Sequence, residues 1–144
     1  FTPTTDALDT IPPAMPTGLV LTTGTAINPD GTVMTWVQAS WNPNTEGDMA
    51  EYQVQFFVGA STVPTTMTVA HPTTSVRLEN VGGNVLIRAR LLAYDKVHNL
   101  SRFTAEASIT TGRDTVGPAA PTNLQAFSTV GAIRLLWTPP PDPD

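Results

Sequence analysis

The stretch Val33-Met34-Thr35-Trp36-Val37-Gln38-Ala39-Ser40-Trp41-Asn42-Pro43 largely alternates in character and ends in a tryptophan followed by a turn. Successive side chains of a β-strand point to opposite sides, so one face would carry Val33, Thr35, Val37, Ala39 and Trp41. Its β-branched and aromatic residues and its period of two favour a strand over a helix. The stretch therefore predicts a core strand, with Trp36 breaking the pattern on the opposite face.

The same pattern recurs near the other end of the chain, in Ala132-Ile133-Arg134-Leu135-Leu136-Trp137-Thr138-Pro139. Upstream of each tryptophan, the segments 9–19 and 114–124 share Asp, Thr, Pro, Ala, Pro, Thr and Leu at one constant offset (114 − 9 = 105). A period near 105 residues is too long for a solenoid repeat and is the size of one small domain. The sequence therefore predicts tandem domains of one kind.

The composition excludes several classes of protein. Of the 144 residues 40% are hydrophobic and 13% charged, with 14 prolines, 10 glycines and no cysteine. The formal charge is −5 and the seven basic residues are scattered, which argues against a nucleic-acid partner or an anionic membrane surface. No apolar run reaches the roughly 18 residues of a membrane helix, so we expect no membrane insertion. Without disulfides the fold must rest on its hydrophobic core.

Alternation elsewhere predicts six further strands. They begin at Leu19 and lie at 51–58, 66–69, 75–78, 85–94 and 103–111. The faces expected to point inward comprise Tyr52, Val54 and Phe56 in one strand, Val85, Ile87, Ala89, Leu91 and Ala93 in another, and Ala105, Ala107 and Ile109 in the last. Seven short strands with turns between them and no helix predict an all-β fold, an immunoglobulin-like antiparallel β-sandwich.

The repeat and the prolines suggest the domain organisation. We expect 1–11 to be a linker or the end of a preceding domain, 12–112 a complete domain, 113–117 a linker, and 118–144 the first strands of a second, truncated domain. The prolines of the junction favour extended backbone, so the two domains should follow each other end to end. We also expect the chain to be a segment of a longer protein.

With this pattern the chain resembles a fibronectin type III domain over roughly 13–112, and the resemblance restarts at 118. It rests on the Trp before a Pro turn in Ala39-Ser40-Trp41-Asn42-Pro43, on the strand that opens Tyr52-Gln53-Val54, and on a sixth strand that ends near Asp95. The resemblance implies a core tyrosine in the sixth strand whose hydroxyl pins a corner. Ile87 stands there instead, so that hydrogen bond should be absent or replaced.

Candidate chemistry is sparse, and we expect no catalytic residue, no cofactor and no metal. His98 suits a turn, since His tolerates a left-handed backbone, and His71 lies in a loop. Asn44, Glu46 and Asp48 alternate as oxygen donors but lack the glycine and terminal glutamate of a calcium loop, so a solvated loop is the favoured interpretation. Three arginines could attract a carboxylate, but outward Arg more often covers apolar surface: Arg77, Arg88 and Arg90.

Three aromatic residues fall on the outward faces of their strands, namely Trp36, Phe57 and Tyr94. Exposed aromatics can mark a contact surface, and we single these out as possible partner-contact residues. The alternative is that a neighbouring loop or domain covers them. Phe57 in particular is expected to be exposed or half covered.

The junction and the second tryptophan strand look like the fibronectin type III repeats of long-tailed bacteriophage tail proteins, especially tail-tip or host-attachment proteins. The similar segments are 114–124 and Trp137-Thr138-Pro139-Pro140-Pro141-Asp142-Pro143-Asp144. This resemblance implies a non-catalytic structural module in the virion tail, a homo-oligomer such as a trimer, and as partners other tail proteins and a bacterial surface receptor or glycan. The alternative is a spacer module of a secreted bacterial carbohydrate-active enzyme or an adhesin.

Overall fold

A computed structural model describes residues 8–113 and 120–139, which form nine β-strands. The strands are β1 (Thr17–Ile27), β2 (Val33–Asn42), β3 (Met49–Val58), β4 (Thr65–Ala70), β5 (Ser75–Leu78), β6 (Leu86–Asp95), β7 (Ala107–Thr110), β8 (Thr122–Thr129) and β9 (Ala132–Thr138). In these two ranges no helix is long and apolar enough to cross a membrane.

The first seven strands form two antiparallel sheets, with strand order β1-β2-β5 in one and β4-β3-β6-β7 in the other. Both sheets contribute buried side chains to one hydrophobic core. The predicted immunoglobulin-like antiparallel sandwich is therefore confirmed, and the strand count in residues 17–110 agrees with the prediction.

The core contains the inward faces that the alternation predicts. Val37 and Ala39 of β2 are fully buried and Trp41 is 5% exposed, and the inward residues of β3 and β6 are fully buried as well: Tyr52, Val54, Phe56, Ile87, Ala89, Leu91 and Ala93. The rings of Trp41 and Tyr52 meet edge to face with centroids 5.3 Å apart. One part of the prediction is wrong, because Val33 is 42% exposed at the hairpin end of β2, where it pairs with the still more exposed Ile27.

The corner before β6 is pinned by a threonine instead of a tyrosine. Ile87 is buried and has no hydroxyl, as the sequence requires. Thr111, which follows β7 and is 3% exposed, donates its hydroxyl to the carbonyl of Gly82 at 2.7 Å and accepts the N–H of Val85 at 2.9 Å. In place of a tyrosine hydroxyl, a threonine hydroxyl from the residue after β7 thus makes hydrogen bonds to the segment that leads into β6.

The last strand of the sandwich is shorter than predicted, because 103–111 is a strand only over β7. The segment before it contacts β6 differently: the N–H of Ser101 bonds the carbonyl of Ala93 at 2.9 Å, and the hydroxyl of Thr104 accepts the N–H of Leu91 at 3.2 Å. For the N–H of Leu91, the hydroxyl of Thr104 thus takes the place of the backbone carbonyl that a paired strand would supply. Ala105, expected to point inward, is consequently exposed.

The hairpin β8–β9 repeats the hairpin β1–β2 in detail. Both pairings have a register shift at the same place, between Thr17 and Val20 in the first and between Thr122 and Gln125 in the second. A residue with positive φ lies in each shift: Gly18 at 70° and Asn123 at 56°. The sequence repeat is therefore also a repeat of backbone conformation.

Candidate contact surfaces

The three outward aromatics lie on two different faces of the sandwich. Trp36 belongs to β2 in the three-stranded sheet, whereas Phe57 and Tyr94 belong to β3 and β6 in the four-stranded sheet. Phe57 pairs with Arg88, six residues before Tyr94 on β6, which places these two aromatics about 20 Å apart along the sheet. The fold therefore does not bring the three together into one contact surface.

Trp36 is half-buried between a glycine and an arginine. Gly24 is its cross-strand partner, and a Cβ at that position would lie only 2.5 Å from Cζ2 of the indole. The Arg77 guanidinium lies 3.9 Å from the ring centroid and also donates to Oε1 of Gln38 at 3.1 Å. Such a cation–π contact is worth about 0.5 to 1 kcal/mol at an exposed site. Side chains and backbone of the same sheet thus cover much of this ring.

Phe57 is only 8% exposed, so the expectation that it is exposed or half covered is wrong. The guanidinium groups of Arg88 and Arg90 lie 5.3 and 5.4 Å from its ring centroid. Arginine can bury its aliphatic stem along an apolar surface while its charged head stays in water. The cover comes from the adjacent strand β6, which alternation within β3 alone does not reveal.

Tyr94 is half-buried, and it makes a side-chain hydrogen bond in addition to its ring contacts. Its hydroxyl donates to Oε1 of Gln53 at 3.1 Å, and its ring meets the imidazole of His98 edge to face at 6.5 Å between centroids. His98 has φ of 67°, so the predicted left-handed turn is confirmed. Tyr94 and Trp36 are thus partly exposed, whereas Phe57 is buried.

The arginines cover apolar side chains, as the favoured interpretation holds. Arg90 bonds Oε1 of Gln55 through Nε at 3.0 Å and lies 4.1 Å from the ring centroid of Phe103. Arg88 donates to the carbonyl of Ser61 at 3.1 Å and approaches Glu106 at 3.6 Å. These guanidinium groups are thus already occupied by neighbours within the domain.

The loop after β2 binds the preceding segment of the chain. Oε1 of Glu46 accepts the N–H of Ala14 at 2.6 Å, and Nδ2 of Asn44 donates to the carbonyl of Ala14 at 2.8 Å. The N–H of Ala14 is the main reason that the pKa of Glu46 is lowered; partial burial opposes this, and the Asn44 amide contributes further. Asn44 and Glu46 therefore have a structural function that an interpretation as a solvated loop misses.

The carboxylate of Asp48 lies close to two other carboxylates. One carboxylate oxygen from each of Asp9, Asp48 and Asp95 lies within 4.8 Å of the others. Asp95 is fully buried. Burial raises its pKa, but N–H donors from Asn99 and Val97 outweigh that effect and the net pKa is lowered. Both Asp95 oxygens thus already accept hydrogen bonds.

His71 contacts the core from the loop after β4. Its Nδ1 lies 3.3 Å from the hydroxyl of Tyr52, which also accepts the N–H of Asn44 at 2.7 Å. Burial is the main cause of a raised pKa for Tyr52, with the Asn44 N–H opposing it and the charge of Glu46 adding to it. Both histidines thus pack against tyrosines of the sandwich.

Solved structures with similar folds identify the architecture. The human contactin 1 fn3 domain matches with a TM-score of 0.59 and 14% identity over 83% of this chain and 99% of its own. An FN3 domain of human collagen XX matches with a TM-score of 0.53 and 22% identity over 76% of this chain and 100% of its own. The fold is that of a fibronectin type III domain.

A longer fibronectin type III structure also matches. The FN1–FN3 domains of chicken CNTN1 match with a TM-score of 0.53 and 17% identity over 68% of this chain, which spans 32% of that fragment. No protein-family model and no curated protein sequence matches this chain. At these identities the fibronectin type III likeness is a statement about the fold.

Proposed function

We propose that this chain is a non-catalytic spacer or surface-contact module of a bacteriophage tail protein, at the tail tip or in host attachment. The observation that carries the proposal is the repeated hairpin. β8–β9 has the register shift and the positive-φ residue of β1–β2, so a second unit begins as the first one does. Repeated units of one fold suit a protein that extends a structure by adding modules.

The non-catalytic part of the proposal is supported by what the polar side chains do. Each histidine packs against a tyrosine, and each of the three arginines of the outer faces lies over an aromatic ring. These groups stabilise the sandwich and are not held toward a common point. A module of this kind serves by its length, its stiffness and its outer surfaces.

The phage assignment is supported by sequence resemblance in the junction 114–124 and in 137–144. It proposes the virion tail as the location, other tail proteins and a bacterial receptor or glycan as partners, and a trimer formed through the full-length protein. Of the three candidate contact residues, Trp36 and Tyr94 are partly exposed and so available to such a partner.

The test is to locate the protein. Antibodies raised against the 144-residue chain should label the tail end of negatively stained virions from the source, and serum depleted with the purified chain should not. Label found instead on a larger secreted protein with glycosidase activity would assign the module to a carbohydrate-active enzyme. Label on the cell envelope would indicate an adhesin. Either result would overturn the phage assignment.

A contact role is tested separately with the purified chain and host cells. If the half-exposed aromatics touch the receptor, Trp36→Ala or Tyr94→Ala should lower cell binding, while Val63→Ala, on an exposed loop, should not. Binding that none of these changes affects would leave the module a spacer.

A further inference from the structure

The segment that precedes β1 is bound to the sandwich although it is not part of either sheet. We name residues 9–16 the strap. It contains Pro12, Pro13 and Pro16, which favour extended backbone and have no N–H for a sheet ladder. Pro13 and Pro16 are nevertheless buried. The strap must therefore be held by contacts other than strand pairing.

The strongest of these contacts hold Ala14 on both sides of its backbone. Its N–H goes to the carboxylate of Glu46 at 2.6 Å, and its carbonyl accepts from the amide of Asn44 at 2.8 Å. The Asn44 amide also reaches Glu46 Oε1 at 3.3 Å, which fixes the two side chains relative to each other. Hydrogen bonds to a charged acceptor are roughly twice as strong as neutral ones. Two side chains thus reproduce the donor and acceptor of a neighbouring strand.

A second point of attachment lies five residues upstream. Nδ2 of Asn99 donates to the backbone carbonyl of Asp9 at 3.1 Å and to Oδ2 of Asp95 at 2.7 Å. Asp95 ends β6 and is fully buried. The strap is therefore attached at both ends, to the loop after β2 and to the loop after β6.

The residues that hold the strap are themselves fixed by the core. The backbone N–H of Asn44 donates to the Tyr52 hydroxyl at 2.7 Å, and Tyr52 is fully buried against Trp41. Rigid support of this kind positions side chains more accurately than a free loop does. The position of the strap is thus set by the sandwich.

We propose that Asn44, Glu46 and Asn99 form a clamp that docks the strap and fixes the direction in which the chain enters the domain. This inference rests on the proposed function, because a fixed direction matters when modules are joined in series. The joint before the domain is then rigid as far as Asp9.

Spin labels test the clamp directly, since the chain has no cysteine to remove. Thr10→Cys and Thr68→Cys place labels on the exposed face of the strap and on β4. With the clamp intact the distance distribution should be narrow. Adding Glu46→Ala and Asn99→Ala together, which releases both points of attachment, should broaden it severalfold, and Glu79→Ala, an exposed residue away from the strap, should leave it unchanged. A distribution already broad in the parent, or one that the clamp variants do not alter, overturns the proposal.

Amide exchange of Ala14 in the ¹⁵N-labelled chain gives a second measurement. Glu46→Ala should accelerate its exchange by about tenfold or more, and Glu46→Gln by less, because a neutral amide oxygen still accepts a weaker bond. The Val37 and Leu91 amides report whether the core stays folded. Exchange of Ala14 at the rate of an unstructured peptide in the parent chain contradicts the clamp. Neither measurement depends on where the protein is found, so either can fail while the spacer function stands.

Discussion

The strand that holds Trp41 and the strand that holds Trp137 are alike in sequence and pairing but opposite in burial. Trp41 is 5% exposed and Trp137 is 56% exposed. Each strand pairs with the preceding one through the same shifted register. The difference is the partner sheet: β2 faces β3 and β6, whereas the described residues supply no second sheet opposite β9.

The comparison separates what local sequence determines from what assembly adds. Turn residues and alternation define the register of the hairpin, since β8–β9 repeats the register of β1–β2. A hairpin alone is marginally stable in water, because it cannot bury enough apolar surface to offset the entropy of ordering it. The core and the stability of the module arise when the second sheet closes over the first.

The largest expected loss of stability is caused by substitution of the buried tryptophan, Trp41. Trp41→Ala should lower the free energy of unfolding by about 3 to 5 kcal/mol, because it leaves a cavity between the sheets. Trp137→Ala should change it by less than about 0.5 kcal/mol, as expected of a surface position. Urea unfolding followed by circular dichroism measures both. Equal midpoints for the two variants would show that Trp41 is not a core residue or that the hairpin belongs to the same cooperative unit.

The corner threonine should have the next largest effect, because it belongs to the closed sandwich alone. Thr111→Val keeps the shape but leaves the N–H of Val85 and the carbonyl of Gly82 without their hydroxyl partner. Each of the two lost hydrogen bonds is worth about 0.5 to 1.5 kcal/mol, so the variant should lose about 1 to 3 kcal/mol of stability. Thr110→Val, at the exposed neighbouring position, is the control in the same urea experiment and should cost little. A loss of stability no larger than that of Thr110→Val would mean that the hydrogen bonds of the Thr111 hydroxyl do not stabilise the corner before β6.

Much of the sandwich could be predicted from the sequence, because burial on one face leaves a period of two in each long strand. The inward residues of β3 and β6 were predicted correctly for this reason. Alternation does not predict burial at two places: at the end of β2, where Val33 continues the pattern but lies beyond the core, and at Ala105, where side-chain hydroxyls take the place of strand pairing. Alternation gives the face of a residue and does not give the extent of the sheet that covers it.

Contacts between distant segments account for what sequence reasoning missed in the candidate sites. Phe57 is buried by two arginines, and Asn44 and Glu46 bind Ala14, some thirty residues earlier in the chain. The sequence does contain the alternating polar residues of the loop after β2 and the proline-rich segment before β1. The alternating loop residues indicate hydrogen-bonding oxygens, but only the three-dimensional arrangement identifies Ala14 as the residue that they bind.

The shared register shift offers a finer comparison of the two hairpins. Gly18 has φ of 70°, a region that costs other residues about 1 to 2 kcal/mol, and a Cβ there would meet the Asn42 side chain at 2.5 Å. Gly18→Ala should therefore destabilise the sandwich by about 1 to 2 kcal/mol. Gly18→Asn places the same Cβ against Asn42 but should cost less, since Asn tolerates this backbone conformation as Asn123 does. Asn123→Ala should leave the main unfolding midpoint unchanged. Thermal melts of the three variants measure this, and a larger loss from Asn than from Ala would refute the equivalence of the two shifts.

The smallest expected effect is the change of unfolding free energy with pH that comes from two carboxylates, Asp95 at the end of β6 and Asp30 in the turn before β2. Asp95 has a lowered pKa because donors from Asn99 and Val97 outweigh its burial, and Asp30, in the exposed turn before β2, has a lowered pKa because of the hydroxyl and N–H of Thr32. A carboxylate whose pKa is lower in the folded state stabilises fully above its unfolded value, 3.8 for both, and loses that contribution as the pH falls through the folded pKa.

The stability gap between the parent and Asp95→Asn should therefore be constant from pH 7 to about 5 and narrow toward pH 3, as protonation removes what the substitution removes. Asp30→Asn should open only a small gap at any pH, because water screens an exposed group. The β8–β9 turn, formed around Val130 and Gly131, has no carboxylate, so its amide chemical shifts should not follow this titration. Urea midpoints at pH 7, 5, 4 and 3 provide the measurement. If the stability gap for Asp95→Asn widens as the pH falls, burial raises the pKa of Asp95 more than its hydrogen bonds lower it. The ionised carboxylate would then destabilise the folded sandwich.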